Sequence, residues 1–280
     1  WLYQVERLKV FSDQRPSYAI NHMATAFGLG SQLQVQVSVN DINQGQVKLN
    51  SIVLDDASFT GNYFQNIPIA LKALPKPGYK FVRWEGAVSS ASNTIAYNMQ
   101  ASASFYAVFE KAADTDINIV INEINYKSAT TFNTEDWIEL YNNGSATVDL
   151  AGWQLTDLGK EPWFYFKPGT ILYPGEYIVA CSDLRDFRNF RPTTKNSRGN
   201  FAFGLSSESK GDKVRLYNEE GVLKDFVDYY TTSPWPVIAN ESGATLELKS
   251  PTLDNTKVEN WVANPGKGTP GKPNSTTVAT

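Results

Sequence analysis

The side chains that could do acid–base or metal chemistry are few in this sequence. Histidine and cysteine each occur once, as His22 and Cys181, which excludes an internal disulfide, a cysteine-based zinc site or a pair of imidazoles within this chain. A general base at His22 would need an orienting carboxylate and a nucleophile, and its helical surroundings favour a surface or interface histidine instead. Cys181 follows the apolar run 177–180, which favours a buried, inert thiol.

One acidic group could be read as paired carboxylates for glycoside hydrolysis. It consists of Glu135, Asp136 and Glu139. Side chains alternate between the two faces of a strand, so Asp136 lies on one face and Glu135 and Glu139 on the other, and they cannot flank one bond. We expect Glu123 and Glu139 to accept hydrogen bonds from backbone donors where strands meet.

A calcium site is a further possibility that the acidic residues raise. Asp55, Asp56 or Asp157 could contribute ligands, but no Asp-x-Asp-x-Asp-Gly loop is present. We therefore predict no catalytic residue, no cofactor and no metal site.

The one locally basic stretch combines cations with aromatic rings. Its members are Arg185, Phe187, Arg188, Phe190, Arg191, Lys195 and Arg198. Such a combination can bind single-stranded nucleic acid, because rings stack on bases and cations neutralise phosphate. The alternative, which the net charge of −4 favours, is a solvated loop that Phe187 and Phe190 anchor and that Phe201 and Phe203 close.

Aromatic residues near predicted loops offer a flat platform on which sugar rings could stack. They are Trp163, Tyr165, Tyr229, Tyr230 and Trp235. The flanking prolines make Trp235 rigid, so its ring would lose little entropy on binding; a packed structural tryptophan is the alternative. The candidate ligand-binding residues are therefore Trp163, Tyr165, Tyr229, Trp235, Arg188 and Arg191.

The elements that must position these residues belong to a chain of 280 residues, 41% of them hydrophobic, 19% charged and 13% aromatic. This composition supports packed cores, and the aromatic content favours sheets. The length suggests about two domains. No apolar run is long enough to span a membrane.

Residues 15–28 carry the spacing of a helix. Ile20, Met23, Ala24 and Phe27 form one apolar stripe, Pro16 suits a first turn and Gly28 suits a left-handed end. So short a helix cannot bury its own stripe, so we expect it to pack on a neighbouring or preceding domain. The opening residues 1–3 suggest a processed product or a fragment.

The rest of the chain has the pattern of strands. Gln32–Val39 alternates polar and apolar residues, and from residue 117 strand signals recur about every ten residues. Turn clusters such as Asn142–Gly144 separate them, and this spacing without helical periods indicates an all-β sandwich.

A series of blocks keeps one order between residues 121 and 274. The blocks are Ile121–Ile124, Asp136–Asn142, Val148–Asp157, Tyr173–Tyr177, Gly211–Leu216, Pro234–Pro236, Thr245–Leu248 and Gly268–Asn274. The ordered set resembles the lamin tail domain. The resemblance implies an immunoglobulin-like β-sandwich, found in nuclear lamins and in many secreted bacterial proteins.

The middle part carries Ala73–Tyr79, Phe81–Gly86 and Ala107–Glu110 and is similar to the divergent internalin B-type repeat. The opening residues Arg15–Pro16, His22 and Phe27 look like the end of a CotH-type, spore-coat kinase-like domain. The nucleotide-binding and catalytic motifs of that kinase have no counterpart here, so any kinase activity would belong to an upstream domain.

The predicted organisation is therefore a helical stub over 1–31, a repeat-like β domain over 32–111, a lamin-tail-like sandwich over 117–274 and a tail over 275–280. The expected function is a non-catalytic interaction or adhesion module, extracellular or on the bacterial cell surface, that positions an upstream domain on a protein or envelope partner. Carbohydrate binding through exposed aromatics is the alternative. Nucleic-acid binding through the Arg185–Arg198 loop is a third reading, which the negative charge disfavours.

Overall fold

The computed structural model describes residues 1–157, 162–237 and 243–275. The chain divides into two compact units, the first formed by Trp1–Lys76 and Phe81–Glu110 and the second by Pro77–Lys80 and Lys111–Thr280. The predicted tail 275–280 lies outside the described residues except for Ser275.

The first unit begins with helix α1 (Leu2–Phe27), which is longer than the sequence pattern predicted. Pro16 lies inside the helix, so its predicted place in the first turn is wrong; the apolar spacing that begins at Leu2 was missed. Gly28 ends the helix in the left-handed conformation, at φ 62°, as predicted. No residue of α1 is buried. Among the described residues, no helix combines the length and hydrophobicity that crossing a membrane requires.

Eight strands follow α1 in the first unit, which contains all of them except the first two residues of β6 and the last residue of β8. They are β1 (Gln32–Val39), β2 (Gly45–Leu49), β3 (Ile52–Leu54), β4 (Ser58–Phe64), β5 (Pro68–Pro75), β6 (Tyr79–Gly86), β7 (Thr94–Asn98) and β8 (Ala103–Lys111). They build two four-stranded sheets, in the orders β4-β1-β8-β6 and β3-β2-β5-β7. Alternate residues of β1 and β5, such as Val35 and Leu71, enter one apolar core around Trp84.

The second unit contains strands β9–β20 and a second helix. The strands are β9 (Ile119–Asn125), β10 (Trp137–Asn142), β11 (Val148–Asp149), β12 (Gln154–Asp157), β13 (Phe164–Tyr165), β14 (Ile171–Leu172), β15 (Tyr177–Cys181), β16 (Ser197–Gly199), β17 (Asp212–Tyr217), β18 (Leu223–Tyr229), β19 (Thr245–Leu248) and β20 (Trp261–Asn264). The helix is α2 (Leu184–Phe190), and single 3-10 turns lie at Asp114–Asp116 and Val258–Asn260.

Two sheets enclose the main core of the second unit. One has six strands in the order β16-β15-β10-β9-β19-β20, and the other has four in the order β13-β12-β17-β18. Ile138 and Leu140 of β10 and Val214 and Leu216 of β17 meet in this core. The mostly β architecture and the sandwich are as predicted.

The six-stranded sheet is covered on both faces. Every residue of β9 is buried, although a strand with one wet face would alternate. On the outer face, opposite the main core, Trp137 packs with Val179, Cys181 and Phe187 of α2 in a second apolar cluster. The same face carries the row of acidic side chains described below.

Candidate functional site

The aromatic candidates divide into buried and exposed rings. Tyr165 on β13 is 54% exposed, Tyr230 is 49% exposed, and Trp163 is partly exposed. Tyr229 and Trp235 are 1% and 5% exposed, so the expectation that they belong to a surface platform is wrong.

Packing explains why these two rings are buried. Tyr229 lies on the inward face of β18, stacks on Tyr126 with 4.9 Å between ring centroids, and donates its hydroxyl to the Ser206 carbonyl at 3.0 Å. Trp235 belongs to the main core, with its ring centroid 6.1 Å from that of Trp261. Trp235 is therefore a packed structural tryptophan.

The basic stretch begins as helix α2, so the prediction of a loop is wrong there. The side chain of Asp183 caps the helix by accepting a hydrogen bond from the Asp186 backbone at 2.9 Å. Phe187 is buried and anchors the helix to the sheet, as predicted, but Phe190, the second predicted anchor, is 39% exposed. Arg185 and Arg188 are exposed. Because Phe187 packs against the sheet, the arginines on the other side of this short helix face the solvent.

The two candidate arginines have different surroundings. The Arg191 guanidinium lies over the Phe132 ring at 4.8 Å and donates Nη2 to the Lys267 carbonyl. Arg188 donates Nε to Ser197 Oγ at 3.1 Å and Nη2 to the Ser197 carbonyl at 3.2 Å. Arg191 therefore contributes to packing, and Arg188 faces a surface cleft.

This surface cleft, which we call the cationic cleft, brings Arg188 together with Tyr165. Its volume is about 330 Å³, and its lining residues are Phe164, Tyr165, Lys167, Leu184, Arg188, Ser197, Arg198 and Gly199. Three of these described lining residues are cations and none is an acid. Lys167 was missed from the sequence, although its spacing of two from Tyr165 is the strand period that places residues on one face.

Three buried glutamates form what we call the carboxylate row: Glu139, Glu123 and Glu247. They lie on the neighbouring strands β10, β9 and β19, with Glu123 in register with both of the others, and each is 0% exposed. Glu247 was missed from the sequence. In the sequence, Glu247 is two residues after Thr245 in a strand-like block, so the strand period could have placed the two side chains on one face.

Residues 267–275, which we call the closing segment, supply backbone donors to all three glutamates. The bonds are Gly271 N–H to Glu139 Oε2 (2.5 Å), Thr269 N–H to Glu123 Oε1 (3.1 Å) and Ser275 N–H to Glu247 Oε2 (2.9 Å). Side-chain donors complete the network: Asn122 Nδ2 to Glu139 (2.9 Å), Thr245 Oγ1 to Glu123 (2.5 Å) and Asn264 Nδ2 to Glu247 (2.5 Å). The expectation that Glu123 and Glu139 accept backbone donors is confirmed, with donors from the closing segment rather than from strand ends.

Burial governs the protonation of the row. The pKa of Glu123 is raised to about 8, mainly by burial and also by the neighbouring Glu247 charge, against the opposing hydrogen bonds from Thr245 and Thr269. Burial, with the charge of Glu123, also raises the pKa of Glu139 well above its ordinary value. Because these side chains are closed to solvent and bonded to the chain, they are suited to hold the closing segment rather than to act on a substrate.

The other acidic candidates do not converge with the row. Asp136 accepts a hydrogen bond from the Leu205 backbone at 2.8 Å, and burial raises the pKa of Asp136 to about 6. Glu135 accepts a hydrogen bond from Asn133. Each acid of the Glu135–Glu139 group therefore has its own structural partner. Glu135 and Asp136 precede β10, which begins at Trp137, so the prediction that they alternate between the faces of a strand is wrong.

The remaining reactive side chains are placed as follows. His22 lies exposed on α1. Cys181 is buried, its Sγ donates to the Arg198 carbonyl at 3.0 Å, and burial raises its pKa to about 12, which suppresses thiolate formation. Within the described ranges, no group of three or more His, Cys, Asp or Glu residues is arranged to hold a metal ion.

Comparison with known families finds a match for each of the two β regions, of the kinds that the sequence blocks suggested. Residues 112–231 match the family model Lamin Tail Domain, and residues 35–113 match the Divergent InlB B-repeat domain. The lamin tail match stops before β19 and β20, which complete the six-stranded sheet.

Among solved structures, the chain is similar to a DUF4876 family protein from Bacteroides thetaiotaomicron VPI-5482, at 12% identity and a TM-score of 0.25. The similarity covers 66% of this chain and 66% of that chain, slightly less than two thirds of its length. So low a TM-score carries no argument about fold or function. A search of the curated proteins finds no match.

Proposed function

We propose that this chain is a non-catalytic interaction module of a secreted or cell-surface bacterial protein, and that the cationic cleft is its contact with a component of the cell envelope. An immunoglobulin-like domain beside a B-repeat domain is consistent with such a module. The fold alone does not define the partner, so the proposal must come from a site.

The observation that carries the proposal is the unbalanced charge of the cationic cleft. Lys167, Arg188 and Arg198 line it together with the exposed ring of Tyr165, and no acid is among its described lining residues. Cations gathered in one cleft attract anionic partners and raise their rate of encounter. The envelope of a bacterium presents many such anions.

The earlier alternatives each keep one part of this cleft. Of the residues proposed for carbohydrate binding, Tyr165 lies in the cleft, whereas Trp235 is buried in the core. Of those proposed for nucleic-acid binding, Arg188 lies in the cleft, whereas Arg191 is engaged in packing. An extracellular location and an upstream CotH-type domain stay predictions.

The test is binding of the labelled full chain to washed bacterial envelope, compared with Arg188→Ala and Arg185→Ala. Both changes remove one positive charge from α2, but Arg185 lies outside the cleft and its side chain is 81% exposed. We expect Arg188→Ala to reduce binding and Arg185→Ala to leave it unchanged.

Arg188 also bonds Ser197, so Lys167→Ala serves as a second cleft variant in case Arg188→Ala disturbs the fold. Circular dichroism checks both variants. Equal binding by cleft and control variants, or no binding by the unmodified chain, would contradict the proposal. Turnover in a hydrolase panel that copurifies with the chain would contradict its non-catalytic part.

A further inference from the structure

The cationic cleft is rich in hydrogen-bond donors. The side chains of Lys167, Arg188 and Arg198 donate and cannot accept. Ser197 has both its Oγ and its carbonyl oxygen already engaged by Arg188. The hydroxyl groups of a neutral sugar also need hydrogen-bond acceptors. No carboxylate or amide side chain is among the described lining residues to accept from them. A ligand that brings its own anionic acceptors fits this lining.

The two arginines are held in place before any ligand arrives. Ser197 is 0% exposed, and its carbonyl accepts Nη2 of Arg188 at 3.2 Å and Nη1 of Arg198 at 3.1 Å. Each guanidinium has five N–H donors, so these contacts leave others on both groups to receive an anion. Because Ser197 already restricts both side chains, binding costs less conformational entropy than it would for free arginines.

Tyr165 provides the apolar part of the cleft. Its ring is 54% exposed, whereas the neighbouring Phe164 is 8% exposed and belongs to the core below. The exposed ring is a flat apolar surface, on which the C–H face of a sugar ring can stack. The ring and the cations therefore select a ligand with both a flat apolar face and a negative charge.

The volume of the cleft and the number of exposed aromatic rings that line it favour a sugar over a single-stranded nucleic acid as the ligand. A volume of about 330 Å³ is at the lower end of the range for small-ligand pockets, about 300–1,000 Å³. Grooves for single-stranded nucleic acid use a series of aromatic platforms that follow the strand. Here one exposed ring, Tyr165, lines the described cleft.

We propose that the cationic cleft binds an acidic carbohydrate, with a carboxylate or sulfate of the sugar on Arg188, Arg198 and Lys167 and a ring of the same sugar on Tyr165. This inference rests on the proposed function, because it names the chemical class of the envelope component.

Calorimetric titration of the full chain tests it with four probes of similar length: a galacturonic acid oligosaccharide, a heparin oligosaccharide, a neutral maltooligosaccharide and oligo(dT). The first two separate carboxylate from sulfate as the source of the charge. We expect at least one acidic sugar to bind, with an affinity that falls as salt rises, and the neutral sugar not to bind.

The variants assign binding to the cleft. Arg188→Ala should weaken binding of the acidic sugar about tenfold, as expected for loss of one charge-assisted contact. Tyr165→Ala should weaken it severalfold, and Arg185→Ala should have no effect. Lys167→Ala again covers the case in which Arg188→Ala fails to fold.

Three outcomes would overturn the inference: binding of the neutral sugar as tight as that of the acidic sugars, binding of oligo(dT) tighter than both acidic sugars, or failure of both acidic sugars to bind the folded chain. If neither acidic sugar binds but binding to the envelope depends on Arg188, the acidic-carbohydrate inference is refuted and the proposed interaction module stands. Acidic-sugar binding without any envelope binding would refute the envelope role and keep the site.

Discussion

Two groups of ionisable side chains in the second unit differ in burial and in hydrogen bonding. The carboxylate row is fully buried, and its three glutamates accept hydrogen bonds from the closing segment. The cationic cleft is open to solvent, and its described lining holds three cations and no acid. Buried carboxyl groups that are hydrogen-bonded to the chain stabilise structure, whereas exposed and unbalanced positive charge is available for binding. Substitutions at the two places should therefore affect stability at the row and affinity at the cleft.

Within the carboxylate row, the largest expected effect on stability is at its centre. Glu123→Ala leaves the Thr269 N–H and the Thr245 hydroxyl without their acceptor, so we expect a loss of about 3 kcal/mol in the free energy of unfolding. Urea denaturation measures it. Glu123→Gln keeps an acceptor oxygen and should lose much less; equal losses for the two variants would contradict a structural role for the carboxyl oxygens.

A matched pair of glycines tests how closely the closing segment packs on the row. A Cβ at Gly268 would collide with Glu123 Oε1, whereas one at Gly169 would meet nothing within 4 Å, and both glycines have positive φ, +84° and +80°. Ala at either position adds backbone strain, but only at 268 does it add a clash. We expect Gly268→Ala to lose about 2 kcal/mol more than Gly169→Ala in urea denaturation. Equal losses would show that the segment has room to move.

The pH dependence of stability is the next effect. The folded-state pKa of Glu123 is raised to about 8, so the folded chain holds a proton that the unfolded chain releases near 4.5. The contribution of Glu123 to the free energy of unfolding is fully present below about pH 4.5. It is lost as pH rises to about 8, at no more than about 1.4 kcal/mol per pH unit.

Chemical denaturation across this pH range measures the slope. Glu139 has a raised pKa and contributes with the same sign. The charge of Glu247 raises the pKa of Glu123, and the charge of Arg191 lowers it. Burial also raises the pKa of Asp136 and of Asp225, each to about 6, so the window from pH 6 to 8 reports most directly on the row. Glu123→Gln should flatten the slope in this window, and an unchanged slope would contradict the assignment.

The smallest expected effects on stability are in the cleft. Tyr165 is 54% exposed, so Tyr165→Ala should change the free energy of unfolding by no more than about 0.5 kcal/mol while weakening binding. Trp235→Ala is the contrasting variant, because this ring is 5% exposed and its removal should cost about 4 kcal/mol. Thermal unfolding of both variants would decide; a stable Trp235→Ala would restore Trp235 as a candidate binding residue.

Much of the fold could be predicted from local patterns. The period of two in β1 and the turn at Asn142–Gly144 are local properties, and both units are mostly β as expected. Strands such as β4 (Ser58–Phe64) were missed because their residues are partly exposed on both faces and lack clear alternation. Helix α2 was missed because its stability depends on one buried ring, Phe187, and on the Asp183 cap.

The candidate site was predicted only in part. Tyr165 and Arg188 were both named, but they belonged to two different hypotheses until the fold placed them in one cleft. Tyr229 and Trp235 were misassigned because an aromatic residue near a turn has the same sequence signature whether its ring packs inward or outward.

The sequence by itself determined the class of structure and the scarcity of reactive groups, because residue types and short periods are local and need no knowledge of distant partners. It also indicated that Glu123 and Glu139 serve the backbone. Only the tertiary structure decided that Glu247 joins them and that cations from α2 and β16 meet a ring from β13. Burial and charge balance depend on residues far apart in the chain, so they become defined only when the sheets pair and the closing segment packs against them.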